Sequence, residues 1–231
     1  MNKVRLNKFL AEAGIASRRE ADKLISAGLV KVNNQVIAEI GIKVDPSKDN
    51  VEFKNQTLQP AKPLIFMFNK PVGVTSTTKD AHANKTIADY FKNMGRVYPV
   101  GRLDKDSEGL ILVTNNGELT NQLTHPKFEH EKEYDVLIEG ESDDNIPSFS
   151  AKFILDGYKT RPMQIKAVKP IGQSQWLITL ILKEGRKRQV RKISEKLGYK
   201  VINLKRTRIG KLKLGSLPPG EFKEMQQKDI L

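Results

Sequence analysis

Apolar residues recur at helical spacing near the start of the chain. Leu6, Phe9, Leu10 and Ala13 fall at i, i+3, i+4 and i+7, one face of a helix that Gly14 stops. Ser17-Arg18-Arg19-Glu20 is a capping-box pattern, in which a serine side chain and a glutamate three residues later satisfy free amide groups at a helix start. The helix it opens is predicted to bury Ala21, Leu24 and Ile25 and to end near Gly28. Short strands are predicted next, at 30–32, 36–38 and 51–53, with turns at Asn33-Asn34 and Asp45-Pro46. Arg5, Lys8, Arg18, Arg19, Lys23 and Lys31 lie on or beside the polar faces of the two helices. A helix pair, a hairpin and a basic face give residues 1–60 the character of an RNA-reading module.

Gln59-Pro60-Ala61-Lys62-Pro63 reads as a stiff, proline-bounded linker, and the texture changes after it. Strands are predicted at 64–69, 109–114, 133–139, 164–168 and 176–182, several apolar enough to be buried on both faces. Helical stretches are predicted at 86–91, at 118–123 (closed by Pro126) and at 189–197, where Val190, Ile193 and Leu197 share a face ahead of Gly198. This irregular alternation predicts an α+β fold for residues 64–231, with a mixed, mainly antiparallel sheet and flanking helices. The chain shows neither an internal repeat nor a low-complexity tract.

Composition narrows the function classes. The longest apolar run, from Leu64 to Phe68, is far short of the roughly 20 residues a membrane span needs. The opening MNKVRLNKFL lacks the apolar stretch and cleavage site of a signal peptide, so a soluble, cytoplasmic protein is expected. With no cysteine there is no disulfide, Cys–zinc site or thiol nucleophile. Of the 231 residues 40 are Lys or Arg and 27 Asp or Glu, a net charge of +13. Between Lys183 and Lys213 lie thirteen Lys/Arg against Glu184 and Glu195, so +11 of that charge sits in 31 residues. A charge run is often only a solvated face. A membrane-surface patch is weaker, since the stretch carries no aromatic anchor except Tyr199. Polyanion binding by counterion release is the favoured reading.

Several common engines are absent. No G-x-x-x-x-G-K-[ST] loop and no G-x-G-x-x-G after a strand offers a phosphate cradle. His82, His125 and His130 form no H-E-x-x-H and read as solvated or structural, not as metal ligands. The most informative stretch is Gly101-Arg102-Leu103-Asp104-Lys105-Asp106-Ser107-Glu108-Gly109, five charges in nine residues on a turn-rich loop before a buried strand. A calcium loop fits Asp104, Asp106 and Glu108 at positions 1, 3 and 5. It fails at position 12, where Asn115 stands for the bidentate glutamate. A solvent-exposed turn with local ion pairs is the plain alternative. The functional reading is a carboxylate kept ionised by basic neighbours, fit to act as nucleophile or base.

Two resemblances rest on these residues. RLNKFLAEAGIASRREADKLISAGLVKVNNQVI resembles an S4 (αL-type) RNA-binding domain. GRLDKDSEGLILVTNNGEL resembles the catalytic motif of the ribosomal pseudouridine synthases of the RsuA/RluB/RluF type, with Asp104 at the position of the family's aspartate. Asn69-Lys70-Pro71-Val72-Gly73 resembles that family's first motif, a loop supporting the active site. Lys132-Glu133-Tyr134 resembles its K-x-Y motif, and Glu184-Gly185-Arg186-Lys187-Arg188-Gln189-Val190-Arg191 its last. Ser107 stands where many relatives have threonine.

The resemblance implies isomerisation of a ribosomal uridine to pseudouridine, more in the manner of the large-subunit (23S) than the 16S enzymes, with no cofactor and no metal. Asp104 would be the catalytic carboxylate, Tyr134 the platform for a flipped base and Arg191 the partner of Asp104. Arg102 would either pair with Asp104 itself or help to turn out the nucleotide. From the residues alone Tyr134 reads rather as a core tyrosine and Lys70 as part of a turn, and Arg191 equally as one more phosphate contact. Arg186, Arg188 and Lys192 in the basic run are expected to hold RNA beside the reacting base. The expected partner is ribosomal RNA or a precursor particle, with no membrane, and the chain is expected to act as a monomer. The competing hypothesis is a non-catalytic S4-type binding or ribosome-assembly protein.

Overall fold

The switch from helical to alternating texture at the proline-bounded linker corresponds to a switch of structural unit. The computed structural model describes residues 3–78, 80 and 83–230, so His82 and Lys79 lie outside the described residues. Its first unit runs to Pro63 and includes Asn115–Gly117; the second holds Leu64–Thr114 and Glu118 onward.

In the first unit, β1 (Val4–Arg5) leads into α1 (Leu6–Glu12), followed by α2 (Arg18–Ser26). Ser17 Oγ accepts the Glu20 amide at 3.2 Å, which is the half of the predicted capping box that forms. Strands β2 (Val30–Val32), β3 (Gln35–Ile37), β5 (Val51–Phe53) and β6 (Gln56–Thr57) make a four-stranded sheet in the order β3-β2-β5-β6, while β4 (Lys43–Val44) pairs with β1. Asn33 and Asn34 both take positive φ (51° and 67°), the backbone of a tight hairpin turn that asparagine tolerates. Leu6, Phe9, Leu10, Ala21 and Ile25 pack with Val30, Val44 and Val51 into one core. Arg5, Arg18, Arg19 and Lys23 are exposed and Lys8 and Lys31 half-buried, Lys31 donating to Asn55.

The second unit is built on β7 (Ile65–Lys70), β8 (Tyr98–Val100), β9 (Glu108–Thr114), β10 (Lys132–Glu139), β11 (Ile154–Leu155), β12 (Tyr158–Lys159), β13 (Gln164–Pro170), β14 (Gln175–Leu182), β15 (Lys200–Ile209), β16 (Leu212–Lys213) and β17 (Phe222–Glu224). Helices α3 (Gly117–Thr124) and α4 (Gln189–Lys196) flank them. The main sheet runs β13-β14-β10-β15-β9-β7-β17, antiparallel throughout except for the β15–β9 pair, so the expected mixed, mainly antiparallel sheet is present. Both sheet faces are buried. Phe66, Phe68, Ile111 and Val113 face one core while Ile65, Met67, Leu110 and Leu112 face the other, which is why 65–68 and 110–113 read as continuous apolar runs. The helix expected at 86–91 is a single 3-10 turn, Ile87–Tyr90. β15 is the longest of the strands that the hydrophobic pattern did not announce, the others including β8 and β17. Its buried positions include Arg206, so its alternation is hidden by charge.

Candidate active site

The loop Gly101–Ser107 leaves β8 and returns into β9, and three contacts from the preceding Pro71–Ser76 turn fix it. The Gly73 amide donates to the Lys105 carbonyl at 2.7 Å. Ser76 Oγ donates to the Leu103 carbonyl at 2.7 Å and accepts its amide at 3.1 Å. Lys70, wholly buried at the end of β7, donates to the carbonyls of Pro71 and Val74, each at 2.9 Å. Burial brings its ammonium down to about 8 against the pull of Asp106, Asp104 and Glu108. The N-K-P-V-G stretch therefore braces the loop that carries Asp104.

That loop forms one wall of a cleft of about 800 Å³. Asp104, Arg102 and Ser107 line it from the loop, Tyr134 from β10, and Arg186 and Arg188 from the β14–α4 connection. Asp104 is a third exposed, and the Arg188 guanidinium stands 4.0 Å from its carboxylate. Tyr134 alternates with Val136 and Ile138 on the buried face of β10 and also lines the cleft, so it is a core residue and a cleft wall together.

The arginines divide differently from expectation. Arg191 forms no ion pair with Asp104. Its Nε lies 3.3 Å from Asp106 Oδ2, and its Nη2 donates to the Asp106 carbonyl at 2.7 Å. Arg188 is the cation beside Asp104, and it also grips Asp106 at 3.0 Å. The reason is local: Arg188 takes a left-handed backbone (φ 54°) just before α4, which turns its side chain back toward the loop. Arg102 is exposed and lines the cleft, and among the described residues its side chain makes no ion pair. Lys192 pairs with Asp156. The Arg186 guanidinium lies 3.5 Å from the centre of the Tyr158 ring. Glu129 and Arg161 form an ion pair between two residues of the cleft lining. His130 bonds the Gln122 carbonyl at 3.0 Å and His125 accepts the Lys127 amide at 3.2 Å, and both line the cleft.

The sequence reading missed Arg206. It lines the cleft and is 3% exposed; its Nε donates to the Leu110 carbonyl at 2.7 Å and its Nη1 to Tyr134 Oη at 3.4 Å. The available signal was a charge two residues beyond Leu204, on the inward phase of a strand.

The family model described as RNA pseudouridylate synthase matches residues 65–196, and that of the S4 domain matches residues 4–50. The chain is 39% identical to the ribosomal large subunit pseudouridine synthase B of Bacillus subtilis (strain 168), over 98% of this chain and 93% of that protein. It is 38% identical to the dual-specificity RNA pseudouridine synthase RluF of Escherichia coli (strain K12), over 99% of this chain and 77% of the relative. A crystal structure of a pseudouridylate synthase superposes with a TM-score of 0.68 at 29% identity, covering 98% of this chain and 97% of the other.

Proposed function

The chain belongs to the RNA pseudouridylate synthase family and carries an S4 domain at its N-terminal end, and from that premise we propose that it isomerises a uridine of ribosomal RNA, with 23S RNA the favoured target over 16S. The observation that carries this reading is the convergence of Asp104, Tyr134 and Arg188, from three separate stretches of sequence, on one cleft. The names of the relatives that include the large subunit favour the 23S target.

The reaction breaks the N1–C1′ bond, turns the base and joins C5 to C1′; the C5 proton is lost and N1 ends protonated. No atom is gained. A carboxylate serves it by adding to the sugar carbon, by stabilising positive charge there, or by taking the C5 proton. We assign that work to Asp104, which lines the cleft from the Gly101–Ser107 loop. The Arg188 guanidinium stands 4.0 Å from its carboxylate. The target base must leave its stack at a cost of a few kcal/mol, part of which an aromatic wall such as Tyr134 returns.

The test maps pseudouridine across 16S and 23S RNA, naked and in precursor particles, after exposure to wild type or Asp104→Asn. One or a few sites should appear with wild type and none with the variant. Wild type that modifies nothing would leave the chain as an S4-type binding protein. A fully active Asp104→Asn would move the chemistry to another group.

A further inference from the structure

Arg206 poses a physical problem that the fold alone does not answer. Its guanidinium is buried, forms no ion pair among the described residues, and leaves Nη2 without any hydrogen-bond partner. An unpaired buried cation with an orphaned donor is costly. The cleft it lines holds Asp104, Glu129 and Glu184 as well as Leu112, Leu182, Leu204 and Ile209, yet none of those carboxylates pairs with it. A second cation stands close by. Among the described residues the Lys132 ammonium bonds only a carbonyl, that of His130, and burial followed by the charge of Arg206 holds it below the ordinary lysine range. Two positive groups therefore stand beside Tyr134 in a cleft lined by both apolar and polar side chains, one of them with a donor unused, an arrangement suited to a planar, mostly apolar anion.

Resting on the reading above, we propose that the free Nη2 of Arg206 donates to a ring carbonyl of the flipped uracil and holds the base while it is detached and anionic. When N1–C1′ breaks, the electron pair goes to N1 and its charge spreads onto the two carbonyl oxygens. A donor on one of them gains strength as that charge grows, so it favours the detached state over the bound nucleotide. Carbon C5 then attacks C1′, its proton leaves, N1 takes a proton and the ring is neutral again. Nη1, already on Tyr134 Oη, ties this donor to the platform beneath the base. A backbone phosphate is the poorer occupant, because Arg206 is buried while Arg186, Lys187 and Arg188 line the same cleft exposed to solvent.

The probe is 5-fluorouracil, followed by fluorine NMR with the full-length chain below and above the pH at which its ring ionises. Wild type should bind the anion at least about tenfold tighter than the neutral ring, the equivalent of one charged hydrogen bond. Arg206→Gln should lose that preference and Arg206→Lys keep part of it, with melting temperatures recorded for both. Single-turnover pseudouridine formation in ribosomal RNA should fall by about a hundredfold or more in Arg206→Gln with RNA affinity and its salt dependence unchanged. An unaltered preference in Arg206→Gln, or none in wild type, overturns the assignment even if the enzyme is active. A weakened RNA affinity with a shallower salt slope would make Arg206 a phosphate contact and overturn it too. A wild type that prefers the anion but modifies no ribosomal RNA sinks the ribosomal reading and leaves this one standing.

Discussion

Lys70 shows how one residue couples stability to the site. Its ammonium is buried against two neutral carbonyls, and its ionisation falls from 10.5 to about 8. Below pH 8 folded and unfolded chains both hold the proton, and the folded state bears the cost of burying the charge. Between about 8 and 10.5 the unfolded chain binds more protons, so stability rises with pH, and above 10.5 the cost is gone. Wild type should therefore gain stability relative to Lys70→Met across that window, by up to about 3 kcal/mol, in urea melts at a series of pH values. A constant difference would show that Lys70 does not titrate there. At this scale the motifs pointed to Asp104 and Tyr134, because loop composition and strand alternation are local. They did not reveal that Arg191 goes to Asp106 while Arg188 stands beside Asp104, which depends on the left-handed turn at Arg188.

Between elements, the critical contact is the parallel approach of β9 and β15, where Arg206 lies opposite Gly109. Gly109 has φ 104°, and a Cβ there would run into the Arg206 backbone carbonyl. Gly109→Ala should cost about 2–4 kcal/mol in denaturant unfolding and reduce activity, because the Asp104 loop and the Arg206 strand meet at that point. An alanine variant of wild-type stability would mean that the two strands can separate freely. The strands with apolar faces on both sides were legible from residue pattern. β15 was not, since its inward positions include a cation and its length emerges only from pairing with β10 and β9.

For the whole molecule, the basic excess is not one uniform surface. Arg188 and Arg191 meet Asp106, Lys192 meets Asp156, and Arg208 meets Glu131 and Glu133, while Lys183, Arg186 and Lys187 are exposed along the cleft. The S4 domain presents Arg18 and Arg19 to solvent. Arg18→Ala with Arg19→Ala should weaken RNA binding and lower its salt slope by about two, leaving turnover on saturating RNA largely intact. Unchanged binding across a salt series would remove both arginines from the interface. The amino-acid sequence by itself determined the two textures, the helix pair and hairpin, the apolar strands and the charged Asp104 loop, because periodicity, caps and turn residues act over a few neighbours. Only the tertiary structure decided which cation meets which carboxylate and that Arg206 is buried with no ion pair among the described residues and its Nη2 unused. Those contacts join residues some 80 to 100 positions apart. They exist only once strand register is set, and register is a property of the assembled sheet.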